Sequence, residues 1–228
     1  MTHDVQEEQA DDLGIMAGIS NYSIVIKSSK WTLFIELEVK VPILNKRGAH
    51  MSRLIFPETV KCESVEQFIN DAKKLIKEKT GVYPYIKMVF KFPWKDQFPT
   101  IIVENYIAIG NEYTYIMKGI TACPCSKESI GIGHMQKCEL KIKINAKLPH
   151  PKFEDIFRLM ESCFSASLTE KLKRDEEAAK IKEAQDNAKF VEDVVRHAIM
   201  NIPNIRYARA ESDESIHSHK AVAEWWRR

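Results

Sequence analysis

The strongest constraint on the fold is a set of segments in which apolar and polar residues alternate. Trp31–Val41 reads W-T-L-F-I-E-L-E-V-K-V, and Cys138–Lys147 reads C-E-L-K-I-K-I-N-A-K. Because successive side chains of a strand point to opposite faces, this spacing predicts strands with one buried face. Asn21–Lys27 precedes the first of them, and Ser28–Lys30 provides a turn, so a hairpin is predicted there.

Further strands are predicted later in the chain. Two of them form a second hairpin around Gly110 and Asn111, a pair typical of tight turns. The predicted segments are Pro84–Phe92, Thr100–Ile109, Glu112–Ile120 and Asn204–Glu211.

Helical spacing of apolar residues marks the other elements. Ser64–Lys79 has one apolar face, with Ser64 placed as N-cap and Gly81 just past the end. From Pro151 onward three helices are predicted, at Phe153–Cys163, Leu168–Ala188 and Lys189–Asn201. The mixture of antiparallel hairpins and separate helices predicts an α+β fold.

The domain organisation follows from composition along the chain. Residues 1–18 are polar without periodicity, which predicts a flexible N-terminal arm, and residues 19–228 are predicted to form a single domain. The order of elements, a strand pair and helix followed by strands and helices, suggests a doubled unit. A chain of 228 residues with 44% hydrophobic residues can bury one good core or two small ones.

Charge and cysteine content exclude several classes of protein. A formal net charge of +2 is too balanced to predict nucleic-acid binding. No segment reaches the roughly 18 to 20 apolar residues that a membrane span needs, and the N-terminus is acidic where a signal peptide is basic. Five cysteines, an odd and sparse set, favour a reducing compartment. We therefore expect a cytoplasmic protein without a membrane or nucleic-acid partner.

One short segment, Thr121–Gln136, has the composition of a metal site. It reads T-A-C-P-C-S-K-E-S-I-G-I-G-H-M-Q and is predicted as a turn. Its proline restricts the backbone around Cys123 and Cys125, and its two glycines allow the chain to bring His134 near the thiols. Thiolate and imidazole together suit zinc or ferrous iron, with a further ligand from elsewhere. A redox pair or two inert buried cysteines is the alternative.

Two other polar segments are candidates for substrate contacts. Leu44–Leu54 follows a predicted strand and carries Arg47, His50 and Arg53, which suit phosphate or carboxylate, although a simple polar loop has the same composition. Near the C-terminus, E-S-I-H-S-H carries two histidines. They are equally consistent with a second metal site and with hydrogen bonds to a substrate.

Five motifs in this order resemble the type IB GTP cyclohydrolase family, over most of the chain. The H-M-Q form and the chain length are more similar to the archaeal branch, which feeds tetrahydromethanopterin synthesis, than to the bacterial branch, which feeds folate. The motifs are R-G-A-H-M-S-R at Arg47–Arg53, C-P-C-S-K at Cys123–Lys127, G-H-M-Q at Gly133–Gln136, F-V-E-D-V-V-R at Phe190–Arg196 and E-S-I-H-S-H at Glu214–His219.

The resemblance implies a tunnelling fold: two strand-and-helix units per chain, antiparallel sheets closed into a barrel with helices outside, and a homo-oligomer, dimer or tetramer, with active sites at subunit interfaces. It implies a divalent metal, with Fe²⁺ favoured and Zn²⁺ or Mn²⁺ as alternatives, held by Cys123, His134 and Glu177. Spacing leaves Cys125 open as an alternative thiolate and Glu176 as an alternative carboxylate.

The resemblance also implies the reaction, in which GTP is hydrolysed at C8 of its guanine ring. Formate is released, and a 7,8-dihydroneopterin product forms, as a cyclic phosphate in the archaeal branch and a triphosphate in the bacterial one. Glu192 corresponds to the residue that anchors guanine. The proton-transfer candidates are His50, His217 and His219, and further substrate-binding candidates are Arg47, Arg53, Lys127, Gln136 and Arg196. Two alternatives remain: a metal-free enzyme of the same fold with a thiol nucleophile, and a non-catalytic scaffold.

Overall fold

A computed structural model describes residues 3–106, 110–146 and 151–227. In these ranges the chain forms ten strands and five α-helices, and its strand pairings are mostly antiparallel, which confirms the predicted α+β class. The chain divides into two compact units. The first contains the chain up to Lys91 together with Ile102–Asn111, and the second contains Phe92–Ile101 and the chain from Glu112 onward.

The sheet of the first unit is built on the predicted hairpin. Strands β1 (Met16–Lys27) and β2 (Thr32–Pro42) pair antiparallel, β3 (Thr59–Lys61) runs parallel to β1, and β4 (Tyr85–Lys91) pairs antiparallel with β2. Strand β5 (Thr100–Tyr106) follows β4, giving the order β3-β1-β2-β4-β5. Alternate residues of β2 are buried, as its alternation predicts.

The helix of the first unit has the predicted bounds to within a residue. Helix α1 (Val65–Thr80) begins after Ser64, whose hydroxyl accepts a hydrogen bond from the Gln67 amide. It ends at Gly81 in the left-handed conformation, with φ 81°. Such a conformation favours glycine, so the two ends of the helix are set by local sequence.

Unit two contains the strands β6 (Gly110–Ala122), β7 (Met135–Ala146), β9 (Ile205–Asp213) and β10 (Lys220–Trp226), paired in that order, with the short β8 (Ala166–Ser167) on β6. Its helices are α2 (Pro124–Ile130), α3 (Phe153–Cys163), α4 (Arg174–Asp186) and α5 (Val191–Asn201). Helix α5 packs on β9 and α3.

An aromatic cluster forms part of the core of this second unit. Phe157 on α3 is fully buried, and its ring centroid lies 5.8 Å from that of Phe92, 6.1 Å from that of Trp94 and 5.7 Å from that of Tyr115. Tilted and edge-to-face ring pairs of this kind add to the hydrophobic stabilisation. Helix α3 is thereby fixed to strand β6, which ends immediately before Cys123.

Three sequence predictions in the second unit were wrong in detail. The predicted turn after Cys123 is the helix α2, because Pro124 occupies the first helical position, where a proline is tolerated. The helix predicted from Leu168 begins only at Arg174, and residues 168–173 form an irregular connection between β8 and this helix. Strand β10 was not predicted. Two predicted strands, Thr100–Ile109 and Cys138–Lys147, end at residues that lie outside the described ranges.

The N-terminal segment contacts the loop that follows β2. It contains a short 3-10 turn, Val5–Glu7, and its backbone carbonyls accept hydrogen bonds from the Arg47 amide at 2.9 Å and from the Gly48 amide at 3.2 Å. Strand β1 begins at Met16, before the predicted end of the arm. The flexibility of residues 1–18, and the treatment of 19–228 as one domain, stay predictions. No helix in the described ranges is both long and apolar enough to span a membrane.

Truncating the aromatic core should lower stability far more than the same change at the surface. We expect Phe157→Ala to reduce the free energy of unfolding by about 3–5 kcal/mol, because it leaves a cavity among buried rings. The control is Phe34→Ala on β2, where the side chain is 76% exposed and the expected change is within about 0.5 kcal/mol. Chemical denaturation measures both, and equal losses would contradict the assignment of the core.

Candidate functional site

Many of the residues predicted as functional line one cleft of about 460 Å³ in the second unit. It lies around the end of β6, the start of β7, the first turn of α5 and the connection between β9 and β10. Its lining residues are Cys123, His134, Gln136, Lys189, Phe190, Val191, Glu192, Glu214, His217, His219, Ala221 and Val222.

Backbone hydrogen bonds hold the thiol and the imidazole of this cleft together. The Cys123 amide donates to the His134 carbonyl at 2.9 Å. The His134 amide donates to the Ser126 hydroxyl at 3.0 Å, and that hydroxyl approaches the Cys123 carbonyl at 3.4 Å. A Cβ at Gly133 would lie 2.6 Å from the Cys123 carbonyl oxygen, so only glycine allows this approach.

A chain of hydrogen bonds orients the His134 ring. Its Nδ1 lies 2.8 Å from Gln136 Oε1, and Gln136 Nε2 donates to Glu214 Oε1 at 3.3 Å. Since the Gln136 amide donates to a carboxylate, its oxygen faces the imidazole, and Nδ1 must carry the proton. His134 Nε2 therefore has the lone pair and no partner among the described residues. Such an orientation is the usual one for a metal-binding histidine, or for a base.

The two thiols of the C-P-C motif lie in different environments. Cys123 is half-buried and lines the cleft, whereas Cys125 is exposed on α2 and is not among the described lining residues. The cleft thus offers a thiol, an imidazole nitrogen with a free lone pair and the Glu214 carboxylate. Thiol, imidazole and carboxylate are donor types that zinc and ferrous iron take. Among the described residues, the group of such side chains whose donor atoms all lie within 4.8 Å of one another is Asp4, Glu7 and His50 in the first unit.

A buried lysine fixes the entry to α5 beside the end of β6. The Lys189 amide donates to the Ala122 carbonyl at 3.0 Å, and its ammonium donates to the carbonyls of Ser162 and Phe164 at 3.0 and 2.9 Å. Burial lowers the pKa of this ammonium. These bonds bring the first turn of α5, which carries Glu192, to the residue preceding Cys123.

Glu192 presents a free carboxylate to the cleft. It is exposed and has no hydrogen-bond or ion-pair partner among the residues that the structure describes. His217 and His219 line the same cleft, and their rings stack with centroids 4.9 Å apart and planes 14° apart. Both imidazoles are exposed and can exchange protons with solvent or with a bound molecule.

The remaining candidates of this unit lie outside the cleft lining, within the described ranges. Glu177 is exposed in the first turn of α4, while the neighbouring Glu176 accepts a hydrogen bond from the Lys173 amide at 2.7 Å. Lys127 donates to the main-chain carbonyl of Gln185. Arg196 forms an ion pair with Asp193, one turn earlier on α5, with 2.6 Å between a guanidinium nitrogen and a carboxylate oxygen.

Two of the three predicted residues of the first unit, Arg47 and His50, are engaged with acidic residues of the N-terminal segment. His50 Nε2 lies 2.9 Å from a carboxylate oxygen of Glu7 and 3.4 Å from one of Asp4, and Arg47 pairs with Glu8. Asp4, Glu7 and His50 could together hold a cation. However, Lys46 lies 2.6 Å from Glu7, so we interpret the group as an ion-pair network.

Arg53 lines a small cavity of about 60 Å³ next to the end of β2, together with Glu7, Lys46 and His50 of this network. Its guanidinium has no hydrogen-bond partner among the described residues, so it can accept an anion without first breaking an ion pair.

Sequence reasoning missed two polar residues of the cleft, Glu214 and Lys189. Glu214 begins the E-S-I-H-S-H motif, which was interpreted only for its histidines, and Lys189 directly precedes F-V-E-D. Glu214 follows His134 by 80 positions in the chain and gives no local signal, because the contact depends on the pairing of β7 with β9. The buried lysine is likewise indistinguishable in sequence from a solvated one.

Thiol labelling should separate the five cysteines by burial. Burial raises the pKa of Cys138 and Cys163 to about 12, and it also raises the pKa of Cys62. At pH 8 a thiol of pKa about 12 is ionised to roughly one part in ten thousand, and the thiolate is the reactive form. We expect iodoacetamide to modify Cys125 first, then Cys123, and the other three only after unfolding. Peptide mass spectrometry measures this, and labelling of folded Cys138 at the rate of Cys125 would contradict it.

Comparison with known proteins identifies the family of the chain. The family model described as type I GTP cyclohydrolase folE2 matches residues 3–223. The chain is 31% identical over 201 residues to GTP cyclohydrolase FolE2 of Thermosipho africanus, covering 78% of this chain and 76% of the relative. It is 29% identical over 234 residues to GTP cyclohydrolase FolE2 of Magnetococcus marinus, covering 90% and 88%. The chain therefore belongs to the type I GTP cyclohydrolase FolE2 family of enzymes.

Proposed function

We propose that this protein is a metal-dependent GTP cyclohydrolase, which uses water to open the guanine imidazole ring at C8. The reaction releases formate and leaves a 7,8-dihydroneopterin phosphate. The observation that carries the proposal is the cleft itself, in which Cys123, His134 and Glu192 lie together with two histidines. Family membership gives the substrate class, and the residues of the cleft match what ring hydrolysis requires.

For the metal we propose Cys123, His134 and Glu177 as ligands, with Fe²⁺ favoured over Zn²⁺ or Mn²⁺. A metal held by these residues would lower the pKa of a water and so provide the hydroxide that ring hydrolysis needs near neutral pH. The exposure of Cys125 supports Cys123 as the thiolate. The relay from Glu214 through Gln136 supports the choice of His134 Nε2, because it places the proton of the neutral imidazole on Nδ1 and leaves the lone pair on Nε2.

Glu177 is supported less directly than the other two ligands. Its carboxylate has no partner among the described residues, whereas that of Glu176 is occupied by the Lys173 amide. Both residues lie in the exposed first turn of α4. Glu214 is the competing candidate for the third ligand, because its Oε2 lies 3.8 Å from His134 Nδ1.

The guanine base is proposed to bind at Glu192. An ionised carboxylate has two oxygens and accepts hydrogen bonds only, which matches the N1 and N2 donors of guanine. Because the Glu192 carboxylate has no partner among the described residues, it can bind the base without breaking an existing hydrogen bond. Its place in the first turn of α5 is fixed by Lys189, so the base is held at a defined position relative to Cys123.

Proton transfer is proposed for the histidines, and His217 and His219 line the same cleft. An imidazole titrates near neutral pH, so either ring can give a proton to a departing nitrogen and recover it from solvent. His50 is a third candidate from the first unit.

The triphosphate needs cations, and we propose Arg47, Arg53, Lys127 and Arg196 for this role, with Gln136 as a further substrate contact. Arg47 and Arg196 are held by exposed ion pairs, which are worth little and are readily exchanged for phosphate. The Arg53 guanidinium is free among the described residues. Arginine forms bidentate hydrogen bonds to phosphate, which suits this role.

The resemblance also supports a tunnelling fold assembled as a homo-oligomer, dimer or tetramer, with active sites at subunit interfaces. Two units, each with its own strands and helices, are compatible with it. We retain the cytoplasm as the proposed location. The cyclic phosphate or triphosphate form of the product, and the branch that it feeds, folate or tetrahydromethanopterin, stay predictions.

The activity is tested by incubating anaerobically prepared protein with GTP and Fe²⁺. We expect formate, and a fluorescent pterin after oxidation. Glu192→Gln should lower kcat/KM for GTP by about 100-fold, because two hydrogen bonds to a charged acceptor are disturbed. The control is Glu128→Gln, an exposed residue of α2 outside the cleft lining. If the wild-type protein yields neither formate nor pterin, the proposed activity fails, and the thiol-nucleophile or scaffold alternative takes its place.

The third metal ligand is tested by metal analysis of three variants. We expect Glu177→Gln to lose bound metal, and Glu176→Gln to retain it as the matched control. Glu214→Gln should retain the metal with about 10–100-fold weaker affinity, because it removes the support of the His134 relay rather than a ligand. If Glu177→Gln retains the metal and Glu214→Gln loses it, the third metal ligand is Glu214 and not Glu177.

A further inference from the structure

The side chain of Gln185 clamps the loop that connects α2 to β7. This residue lies in the last turn of α4, and its amide makes two hydrogen bonds to the same backbone residue. The Gly133 amide donates to Gln185 Oε1 at 2.8 Å, and Gln185 Nε2 donates to the Gly133 carbonyl at 2.8 Å. Lys127 adds a bond to the main-chain carbonyl of Gln185. The end of α4 is thereby bonded twice to the loop and once to helix α2.

Hydrogen bonds rather than apolar packing hold this loop in place, and besides those of Gln185 they run from the Gly131 amide to the Lys127 carbonyl at 2.8 Å and from the His134 amide to the Ser126 hydroxyl at 3.0 Å. Its apolar side chains point outward, with Ile130 74% and Ile132 64% exposed, so hydrophobic burial contributes little to its position. Gly131 supports a left-handed turn, with φ 78°, and has no neighbour that would contact a Cβ. The position of the loop therefore depends mainly on hydrogen bonds, and Gln185 supplies both of those that satisfy the Gly133 backbone.

The clamped residue is the one on which the geometry of the cleft depends. Gly133 is buried directly against the Cys123 backbone, and it precedes His134 in the chain. A displacement of Gly133 would therefore change the separation between the Cys123 thiol and the His134 ring. Buried backbone groups left without a partner are also costly, so without Gln185 the loop would be expected to move toward water.

We propose that Gln185 is a positioning residue, which sets the spacing between the Cys123 sulfur and His134 Nε2 by clamping Gly133. This inference rests on the proposed function, since the spacing matters only if the two atoms share a metal. The same clamp fixes one end of α4, the helix that carries the proposed ligand Glu177 in its first turn. One glutamine thus connects the elements that bear all three proposed ligands.

The test compares metal affinity in two Gln185 variants and one control. Gln185→Leu removes both hydrogen bonds, and Gln185→Glu keeps an acceptor for the Gly133 amide while losing the donor to its carbonyl. Lys182→Leu places the same leucine at an exposed position of α4 and serves as control. Dissociation constants for Zn²⁺ are measured by competition with a chelator, at a temperature at which each metal-free variant is folded.

We expect Gln185→Leu to weaken Zn²⁺ binding by about 10–100-fold, the range seen for groups that orient metal ligands, and Lys182→Leu to leave it unchanged. Gln185→Glu should lie between them, and it remains informative if the leucine variant does not fold. Excess Fe²⁺ should restore the GTP activity of the variants with an unchanged KM for GTP, which a direct role in substrate binding would not allow.

Two failures are distinguishable. If the wild-type protein binds no Zn²⁺, the proposed metal site itself fails. If the wild-type protein binds Zn²⁺ and both Gln185 variants bind it with the same affinity, the positioning role is overturned while the proposed function stands. A variant that only unfolds at a lower temperature, with wild-type affinity when folded, would likewise assign Gln185 a purely structural role.

Discussion

The candidate site depends on the close approach of two backbone segments, the residue that follows β6 and the residues that precede β7. The hydrogen bond from the Cys123 amide to the His134 carbonyl closes the short helix α2 into a compact connection. Glycine at position 133 is required for it, because any side chain there would overlap the Cys123 carbonyl. A thiol and an imidazole that are eleven positions apart in sequence thereby come to line the same cleft.

Other elements are arranged around this connection by polar rather than apolar contacts. The Lys189 amide ties the start of α5 to the Ala122 carbonyl at the end of β6, and its ammonium bonds to the carbonyls of Ser162 and Phe164. Gln185 ties the end of α4 to the loop before β7. Buried polar groups with all their hydrogen bonds made specify position more sharply than apolar packing does. Together these contacts explain how Glu192, which belongs to a helix far along the chain, reaches the cleft.

Much of the fold could be predicted from the sequence, because its signals are local. Helix α1 has a serine cap and a terminal glycine, and the strand alternation is set by burial of one face. The relation of Cys123 to His134 was also predictable from their spacing. What could not be predicted depends on tertiary contacts: the helix at Pro124, the strand β10, and the role of Glu214, which reaches His134 only through the pairing of distant strands.

The central claim is that Cys123 and His134 together hold a metal ion. The most direct measurement is the absorption spectrum of the protein loaded with Co²⁺, which shows a thiolate-to-cobalt charge-transfer band only if a cysteine sulfur binds the ion. We predict this band in the wild-type protein and in Cys125→Ala, and its loss in Cys123→Ala. A band that persists in Cys123→Ala, or is absent from the wild-type protein, would contradict the account.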